Sequence, residues 1–312
     1  MIIISLRKLL KSRYCQTRGL KVASAGQTPA EYCLHLVRNN DFENFLCTLI
    51  LPKILRSTAF AIRAFNTEIA TIQDQITDNR YGLLRIEFWT DTLNNIYNDK
   101  PIEHPTSLEL YRVMHKKKLS KYYFKRLIES RSNHINSSTF TSLQSMENYA
   151  ENSVSTIYYL LLEAGEIQDI KTDHFASHLG KAHGIVTLIR SVPHNTERRI
   201  INLPQDVLMK HGISSESVLQ KKSTNKLKDV IYEISTKAKQ HLNKALSLQN
   251  QIKNESRIIF LPYIFIKDYL DNLEKADFDV FHPKLQERND LLVFKLLWKK
   301  LSLQINKSSR FN

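Results

Sequence analysis

The clearest periodic pattern in the chain lies at residues 59–78, where apolar side chains recur at helical spacing. One stripe consists of Ala61, Phe65, Ile69, Ile72 and Ile76. A different, polar face carries Thr67, Thr71, Asp74 and Asp78. This spacing predicts an amphipathic helix with the stripe in a core. A helix that holds metal ions needs several convergent oxygen ligands. One turn before Asp74 there are only Ala70 and Thr71, so one carboxylate of such a pair is missing.

Helical periodicity continues over most of the chain. The expected helices cover residues 29–40, 42–51, 83–97, 106–116, 120–131, 137–164, 172–191, a short stretch after Pro204, 225–251, 258–274 and 284–303. Thr28 and Glu31 have capping-box spacing, and Pro29 suits the first helical position. Thr172 or Asp173 is expected to cap the helix that Pro193 ends. The pattern predicts one all-α domain at residues 29–306, with a tail at 307–312.

Composition narrows the possible classes of protein. The chain of 312 residues has only 7 Gly and 8 Pro, too few for an architecture of many tight turns. No glycine-rich phosphate loop occurs. Cys15, Cys33 and Cys47 form neither a zinc motif nor a disulfide framework. No run of about 18 apolar residues predicts a membrane-spanning helix.

The first 30 residues have a composition of their own. They contain no Asp or Glu, and apolar residues separate the basic ones, which are Arg7, Lys8, Lys11, Arg13, Arg18 and Lys21. An acid-free, Arg-rich, amphipathic leader is typical of mitochondrial targeting. We therefore expect a presequence at residues 1–28 and a mitochondrial location; the alternative is a disordered basic tail.

Two segments carry a family resemblance. The pattern G-x-A…R at residues 180–190, followed by R-x-x-x-L-P at residues 199–204, is similar to the second signature of the squalene/phytoene synthase family. The stretch from Ala61 to Asp74, with its A-F-x-x-E, is similar to the first. The resemblance implies an all-α, isoprenoid-synthase-like fold with a central cavity. In that family, two D-x-x-x-D pairs face each other across the cavity and hold magnesium ions against a prenyl diphosphate.

The family's two carboxylate pairs fall here on Ala70 and Asp74, and on Ser191 and Asn195, so that three of the four carboxylates are absent. The resemblance thus implies a degenerate ligand pocket that holds no metal and no cofactor. Its expected members are Glu68, Ala70, Asp74, Tyr149, Asn152, Gly184, Thr187, Arg190, Ser191, Asn195 and Arg199. Arg190 and Arg199 remain to contact an anion. Glu68 either belongs to the pocket or pairs with a basic neighbour such as Arg63 or Arg190.

A closer resemblance lies within one subgroup of the family. Residues 63–68 (RAFNTE), 147–152 (ENYAEN), 178–186 (HLGKAHGIV) and 277–283 (DFDVFHP) resemble the mitochondrial assembly factors of respiratory complex I. The similarity extends over about residues 30–300. It implies a non-catalytic protein of the matrix, associated peripherally with the inner membrane, that helps early assembly and has complex I subunits or assembly intermediates as partners.

Three further features have two readings each. His174 and His178 stand one turn apart, but zinc needs more ligands than this pair, so surface or capping roles are favoured. Gly180 and Gly184, with Thr187 and Ser191 on the same face, mark close helix packing or room for a ligand. Residues 115–126 are basic, with Lys116, Lys117, Lys118, Lys121, Lys125 and Arg126. This surface is either a solvated face or a site for an anionic membrane or RNA. Because no RNA-binding module signature accompanies it, a membrane is preferred, and nucleic acid is not an expected partner.

The sequence leaves two principal functions to compare. The first is a non-catalytic assembly factor that uses the helical scaffold to bind a protein partner or a lipid. The second is a prenyl-diphosphate-using transferase with an altered metal site, whose support is analogy of fold.

Overall fold

The computed structural model describes residues 26–76, 78–137 and 139–308, with side chains as far as residue 305. Most of the presequence expected at residues 1–28 and the last four residues of the expected tail therefore lie outside the described residues. Within the described ranges the chain is helical, with no strand beyond an isolated bridge between Phe140 and Pro204. The predicted all-α class is confirmed.

Fifteen α-helices follow one another in the described ranges. They are α1 (Pro29–Asn40), α2 (Phe42–Ile50), α3 (Lys53–Ala70), α4 (Ile72–Gln75), α5 (Asn79–Tyr97), α6 (Pro105–Met114), α7 (Lys121–Ser137), α8 (Leu143–Ala150), α9 (Thr156–Ala164), α10 (Ile170–Glu197), α11 (Gln205–Lys210), α12 (Ser215–Leu219), α13 (Asn225–Ser247), α14 (Tyr263–Lys275) and α15 (Leu292–Ser308). A π-helical turn, Glu151–Ser155, joins α8 to α9. Two 3-10 turns, Asn254–Ile258 and Pro283–Leu285, precede α14 and α15.

The stripe seen in the sequence lies in the core. Phe65 on α3 is fully buried and meets Trp89 of α5 and Phe124 of α7 edge to face, with ring centroids 5.5 and 5.3 Å apart. Edge-to-face aromatic pairs add to the free energy gained by burial. Helix α3 also packs against α1, α6 and α9, and α10 packs along α13 and against α8, the π-helical turn and α14. These two helices carry the two family motifs.

Two helix starts show how local chemistry sets the bounds. Thr28 and Glu31 form the predicted capping box, in which each side chain accepts the other residue's backbone N–H. The prediction that Thr172 or Asp173 caps α10 was wrong, since the cap is Asp169, whose carboxylate accepts the N–H of Thr172 at 2.8 Å. The extended backbone of Asp169 aims its carboxylate at this orphan N–H.

The helix predicted at residues 59–78 ends earlier than its periodicity suggests. Helix α3 stops at Ala70, and only the single turn α4 follows. The hydroxyls of Thr67 and Thr71 donate to the carbonyls of Arg63 and Thr67, both at 2.9 Å. Such back-bonding competes with the helical ladder and weakens it locally. The motif residue Asp74 consequently lies on a separate turn.

Other bounds also differ from prediction. The single helix expected at residues 137–164 begins later, at Leu143, because Ser142 caps it with a capping box, and the π-helical turn Glu151–Ser155 divides it. Pro193 does not end α10, which continues to Glu197. The side chain of Asn195 donates to Ser191 Oγ at 2.9 Å and supports the turn around the proline. Helix α13 ends at Ser247, α14 begins at Tyr263 after Pro262, and α15 runs from Leu292 to Ser308.

Candidate functional site

Asp74, the carboxylate that remains of the first motif, forms an ion pair with Arg198 of the second motif region. Its Oδ1 lies 2.6 Å from Arg198 Nη1 and 3.7 Å from His194 Nε2. Arg198 also donates to the carbonyl of Gln73 at 3.0 Å. The fold therefore brings the two motifs together, as the family pattern implies, but an ion pair within the protein joins them. Ala70 stands half-buried one turn earlier and supplies no ligand.

The second motif has two neutral side chains. Asn195 Nδ2 donates to Ser191 Oγ, and Ser191 Oγ donates to the carbonyl of Leu188 at 2.8 Å. Asn195 is 7% exposed. Their hydrogen bonds stay within α10. Divalent magnesium prefers several oxygen ligands including carboxylates, and the four motif positions offer one carboxylate that Arg198 already contacts.

Arg190 and Arg199, the cations expected to meet an anion, both have carboxylate partners. Arg190 Nη2 donates to Glu43 Oε1 at 2.7 Å, and its guanidinium lies over the Tyr269 ring. Burial raises the pKa of the Glu43 carboxyl, but Arg190 outweighs that effect and holds the pKa below its usual value. Arg199 pairs with Glu216 at 3.3 Å on the exposed surface. Arg190 and Arg199 therefore lie apart, each already neutralised.

Glu68 is directed away from the motif carboxylate, towards α1 and α6. Its Oε1 accepts the hydroxyls of Tyr32 at 3.0 Å and of Thr106 at 3.1 Å, and lies 3.8 Å from His104 Nε2. Burial raises the pKa of this carboxyl, which the two hydroxyl donors partly offset. The expected pairing with Arg63 or Arg190 is not formed. Glu68 instead joins three helices or their ends.

Tyr149 and Asn152 point to different neighbours. Arg131 of α7 donates to the Tyr149 hydroxyl and to Asn66 Oδ1 at 3.3 Å, so that a cation lies between α3, α7 and α8. Asn152 Oδ1 accepts from Arg126 Nε at 2.9 Å. Only Tyr149 is connected, through Arg131, to the motif helix α3.

The glycines of α10 contact another helix. A Cβ at Gly184 would lie 2.5 Å from Ala150 Cβ, and one at Gly180 would lie 2.5 Å from the Cα of Ser155. These positions accept no side chain because α8 and the π-helical turn cross there. Of the two readings offered for Gly180 and Gly184, close helix packing or room for a ligand, the contacts at these positions support close packing. Thr187, on the same face, donates to the carbonyl of His183 at 2.9 Å.

The two histidines of α10 have different surroundings, since His174 is exposed and His178 is half-buried. His178 Nδ1 lies 2.9 Å from His241 Nδ1, and His241 Nε2 lies 2.7 Å from the buried carboxylate of Glu147. Burial, helped by His241, lowers the pKa of His178 to about 4. His174 does not belong to this chain of contacts. Across the described residues no group of three or more His, Cys, Asp or Glu side chains is arranged to hold a metal ion.

The basic surface of residues 115–126 is partly neutralised within the protein. Lys117 pairs with Glu166 at 2.6 Å, Arg126 lies 3.6 Å from Glu151, and Lys121 lies over the Tyr97 ring. The three exposed cations of the set are Lys116, Lys118 and Lys125.

A surface groove lies beside the first motif. Its volume is about 350 Å³, and it is lined by Gln75, Ile76, Tyr81, Leu84, Arg85 and Phe88. None of these belongs to the set expected from the sequence. Sequence reasoning also missed Glu43, which contacts Arg190, and Arg131, which contacts Tyr149. No motif or periodic pattern near Glu43 points to a role for it, and only the tertiary fold brings it to α10.

In the part of the chain that the structure describes, no helix is both long and apolar enough to span a bilayer.

Comparison with known proteins identifies the family of this chain. The squalene/phytoene synthase family model matches residues 37–291. The chain is 40% identical over 86% of its length to "NADH dehydrogenase (ubiquinone) complex I, assembly factor 6" of Bos taurus, and covers 82% of that protein. The Homo sapiens protein of the same name is 38% identical over 91% of the chain and 88% of its own length.

Solved structures give the same fold. A dehydrosqualene synthase in complex with ligand superposes with a TM-score of 0.75 over 89% of this chain and 97% of its own, at 15% identity. The squalene synthase HpnC from Alicyclobacillus acidocaldarius superposes with a TM-score of 0.70 over 80% of this chain and 95% of its own, also at 15% identity. At this identity the likeness concerns the fold alone. The chain belongs to the squalene/phytoene synthase family, and within it to the group of complex I assembly factor 6.

Proposed function

We propose that this protein is a non-catalytic factor for early assembly of mitochondrial respiratory complex I. It acts by binding complex I subunits or assembly intermediates on the matrix side of the inner membrane, with which it associates peripherally. The relatives that share 38–40% identity over most of the chain bear the name of complex I assembly factor 6. The acid-free leader at residues 1–28 supports import into mitochondria.

The observation that carries the non-catalytic part of the proposal is the ion pair between Asp74 and Arg198. A prenyl-diphosphate synthase must neutralise its substrate with metal ions bound to convergent carboxylates. Here three of the four motif positions are Ala70, Ser191 and Asn195, which have no carboxylate. At the fourth position, the carboxylate of Asp74 lies 2.6 Å from the guanidinium of Arg198. A divalent cation would have to displace Arg198 to gain a single ligand.

Direct binding of a diphosphate is disfavoured as well. Arg190 lies 2.7 Å from Glu43, so an incoming anion would have to compete with a carboxylate that is already held in place. The contact of Arg190 with the Tyr269 ring restricts it further. Among the described residues, the four motif positions thus supply one carboxylate, and the two arginines expected to meet an anion, Arg190 and Arg199, are each paired with a carboxylate of the protein.

Gene deletion and rescue test this proposal. Deletion should lower fully assembled complex I and its activity on native gels while complexes III and IV keep their normal amounts. Re-expression of the wild-type chain and of Asp74→Ala should restore complex I equally. Normal complex I in the deletion strain would overturn the assembly role, and rescue by the wild type but not by Asp74→Ala would overturn the non-catalytic role.

The family fold and the retained Asp74 favour one alternative, a transferase that uses a prenyl diphosphate. The purified full chain, incubated with farnesyl or geranylgeranyl diphosphate and magnesium, would then release pyrophosphate. Release that Asp74→Ala abolishes would establish this alternative, and absence of release at high enzyme concentration would exclude these substrates.

A further inference from the structure

Helix α15 is apolar on two opposite sides. One side packs on the domain through Leu292 and Leu296, which are 2% and 0% exposed. The other side carries Phe294, Trp298, Leu301 and Ile305, which are 54–77% exposed, and Leu291 in the turn just before the helix is 62% exposed. At about 100° per residue the four helical side chains fall within an arc of about 60°. We call this set the α15 stripe.

A continuous stripe differs from scattered exposed side chains. Single apolar residues on a protein surface are common, but contiguous apolar patches mark sites of interaction. A helix that is apolar on opposite sides is typically buried on both. The domain covers only the side of Leu292 and Leu296, through contacts of α15 with α2, α14 and the first 3-10 turn.

The charges of α15 indicate what covers the other side. The helix contains no Asp or Glu but carries Lys295, Lys299, Lys300 and Lys307. Lys295, 45% exposed, contacts Asp268 at 2.7 Å. Helices that lie in the plane of a membrane interface combine Trp, Phe and Leu on one face with lysines beside it. Each Lys or Arg near an anionic leaflet further favours binding.

We propose that α15 docks the domain on an anionic lipid bilayer, with the helix parallel to the surface and the α15 stripe inserted at the boundary of headgroups and acyl chains. This inference refines the proposed peripheral association with the inner membrane, and the identity of the membrane rests on that proposed function. The contact itself is between α15 and lipid, and is testable without any partner protein.

Two other surfaces fit a bilayer less well. In residues 115–126, three of the six cations have partners within the protein. Among the described residues of this range, Tyr122 is the one large apolar side chain that is exposed. Helix α5 exposes Tyr81, Leu84 and Phe88, but it also carries Glu87 and Asp91 among its basic residues. Of these three described surfaces, α15 alone joins an apolar stripe to charge of a single sign.

The chain provides its own reporter. It has two tryptophans, of which Trp298 is 77% exposed and Trp89 is 5% exposed. The full chain is mixed with vesicles of phosphatidylcholine and phosphatidylglycerol, whose acyl chains are either plain or brominated. Trp298 emission should shift to the blue and be quenched by the brominated lipid. The Trp298→Phe chain, which retains buried Trp89, should show neither change. Residues 1–28 are themselves basic and apolar, so binding of the whole chain would not suffice, whereas quenching of Trp298 reports on α15.

Matched variants locate the contact. Phe294→Ser with Leu301→Ser should weaken insertion roughly tenfold or more, because two large apolar side chains no longer enter the lipid. Leu84→Ser with Phe88→Ser removes similar side chains from α5 and should leave Trp298 quenching unchanged. Lys299→Glu with Lys300→Glu should weaken binding to anionic vesicles. All substituted side chains are outside the core, and circular dichroism melting curves check folding.

Several outcomes would overturn the proposal. One is unquenched Trp298 on vesicles that do bind the chain; another is equal loss of quenching in the α5 control. A blue-shifted Trp298 emission without lipid would mean that another part of the protein covers the α15 stripe. A shift that depends on protein concentration would indicate a second copy, and one that does not would indicate residues 1–28. If the α15 variants lose quenching yet restore complex I in the deletion strain, the membrane contact stands and its role in assembly fails. Normal complex I in that strain would refute the proposed function and leave the vesicle result intact.

Discussion

The motif region between α3 and α10 and the outer side of α15 differ in how their side chains find partners. In the motif region, Asp74 contacts Arg198, Arg190 contacts Glu43, and Asn195 contacts Ser191. On α15, large apolar side chains such as Trp298 remain exposed although the same helix anchors the core. An exposed apolar surface is a better candidate for binding another molecule than polar side chains that already contact one another.

In the motif region, ion pairs and amide hydrogen bonds stand where the family's metal-binding carboxylates would converge, while the family fold is kept. Under the proposed non-catalytic role, the scaffold serves to position surfaces. The following predictions test this comparison, from the largest expected effect to the smallest.

The glycine face of α10 should be the most sensitive position. Gly184→Ala should destabilise the protein by about 2 kcal/mol, because its Cβ would overlap Ala150 Cβ at 2.5 Å and overpacking costs about 1–3 kcal/mol. If Gly184 instead bordered open space, alanine would stabilise the helix by up to about 1 kcal/mol. The sign of the change in urea unfolding therefore decides between packing and cavity. Adding Ala150→Gly should recover only part of the loss, because the Cα of Ala150 would remain 2.8 Å from the new Cβ and glycine itself costs about 1 kcal/mol within a helix. A Gly184→Ala variant more stable than the wild type would contradict the packing account.

The half-buried pair of Glu43 and Arg190 should come next. Glu43→Gln leaves Arg190 without its charge partner, and we expect a loss of about 1–3 kcal/mol. This is below the roughly 3–5 kcal/mol typical of fully buried pairs, because water reaches these side chains. Glu216→Gln removes the partner of exposed Arg199 and should cost about 1 kcal/mol or less. Chemical unfolding of both variants makes the comparison. Equal losses would show that burial of the Glu43 pair adds nothing.

The dependence of stability on pH should reflect buried His183. Burial lowers its pKa to about 3, and its Nδ1 lies 3.0 Å from the Tyr158 hydroxyl. The folded state thus holds the neutral imidazole, while the unfolded state takes up a proton below about pH 6.5. The stability that His183 contributes is complete above that pH and is lost as the pH falls towards 3.

Measured slopes test this expectation. Between about pH 6 and pH 4, His183→Gln should reduce the slope of unfolding free energy against pH by up to about 1.4 kcal/mol per pH unit. Tyr158→Phe removes the hydrogen bond but keeps the imidazole, so it should lower stability and leave most of the slope. An unchanged slope in His183→Gln would mean that this histidine does not resist protonation in the folded protein.

The sequence predicted the fold well because the fold depends on local pattern. The stripe that includes Phe65 needed only its own periodicity, and the capping box of Thr28 and Glu31 needed three residues. The early end of α3 was also encoded locally, in the side chains of Thr67 and Thr71, but their back-bonding competes with an otherwise good helical period. Periodicity alone therefore overestimated that helix.

The partners of the charged side chains were not predictable in this way. Arg190 and Glu43 stand 147 residues apart, and Glu68 meets Tyr32 at a separation of 36. No periodic pattern connects them. The absence of acidic residues in α15 was visible in the sequence, yet tertiary packing decides which of its two apolar sides is covered. The missing motif carboxylates could be located by resemblance, but what replaced them required the structure.

The smallest effect is expected at Asp74, the motif carboxylate itself. Asp74→Asn should cost about 1 kcal/mol or less, because its pair with Arg198 is half exposed and screened by solvent. Arg198→Gln should cost about as little, and a double-mutant cycle should give a coupling of about 1 kcal/mol or less. Magnesium provides the decisive comparison. A ligand that binds the folded state raises the melting temperature, so magnesium should leave the melting temperature unchanged both in the wild type and in Asp74→Asn. A rise with magnesium in the wild type that Asp74→Asn abolishes would show that the motif region still binds metal, and the contrast with α15 would no longer hold.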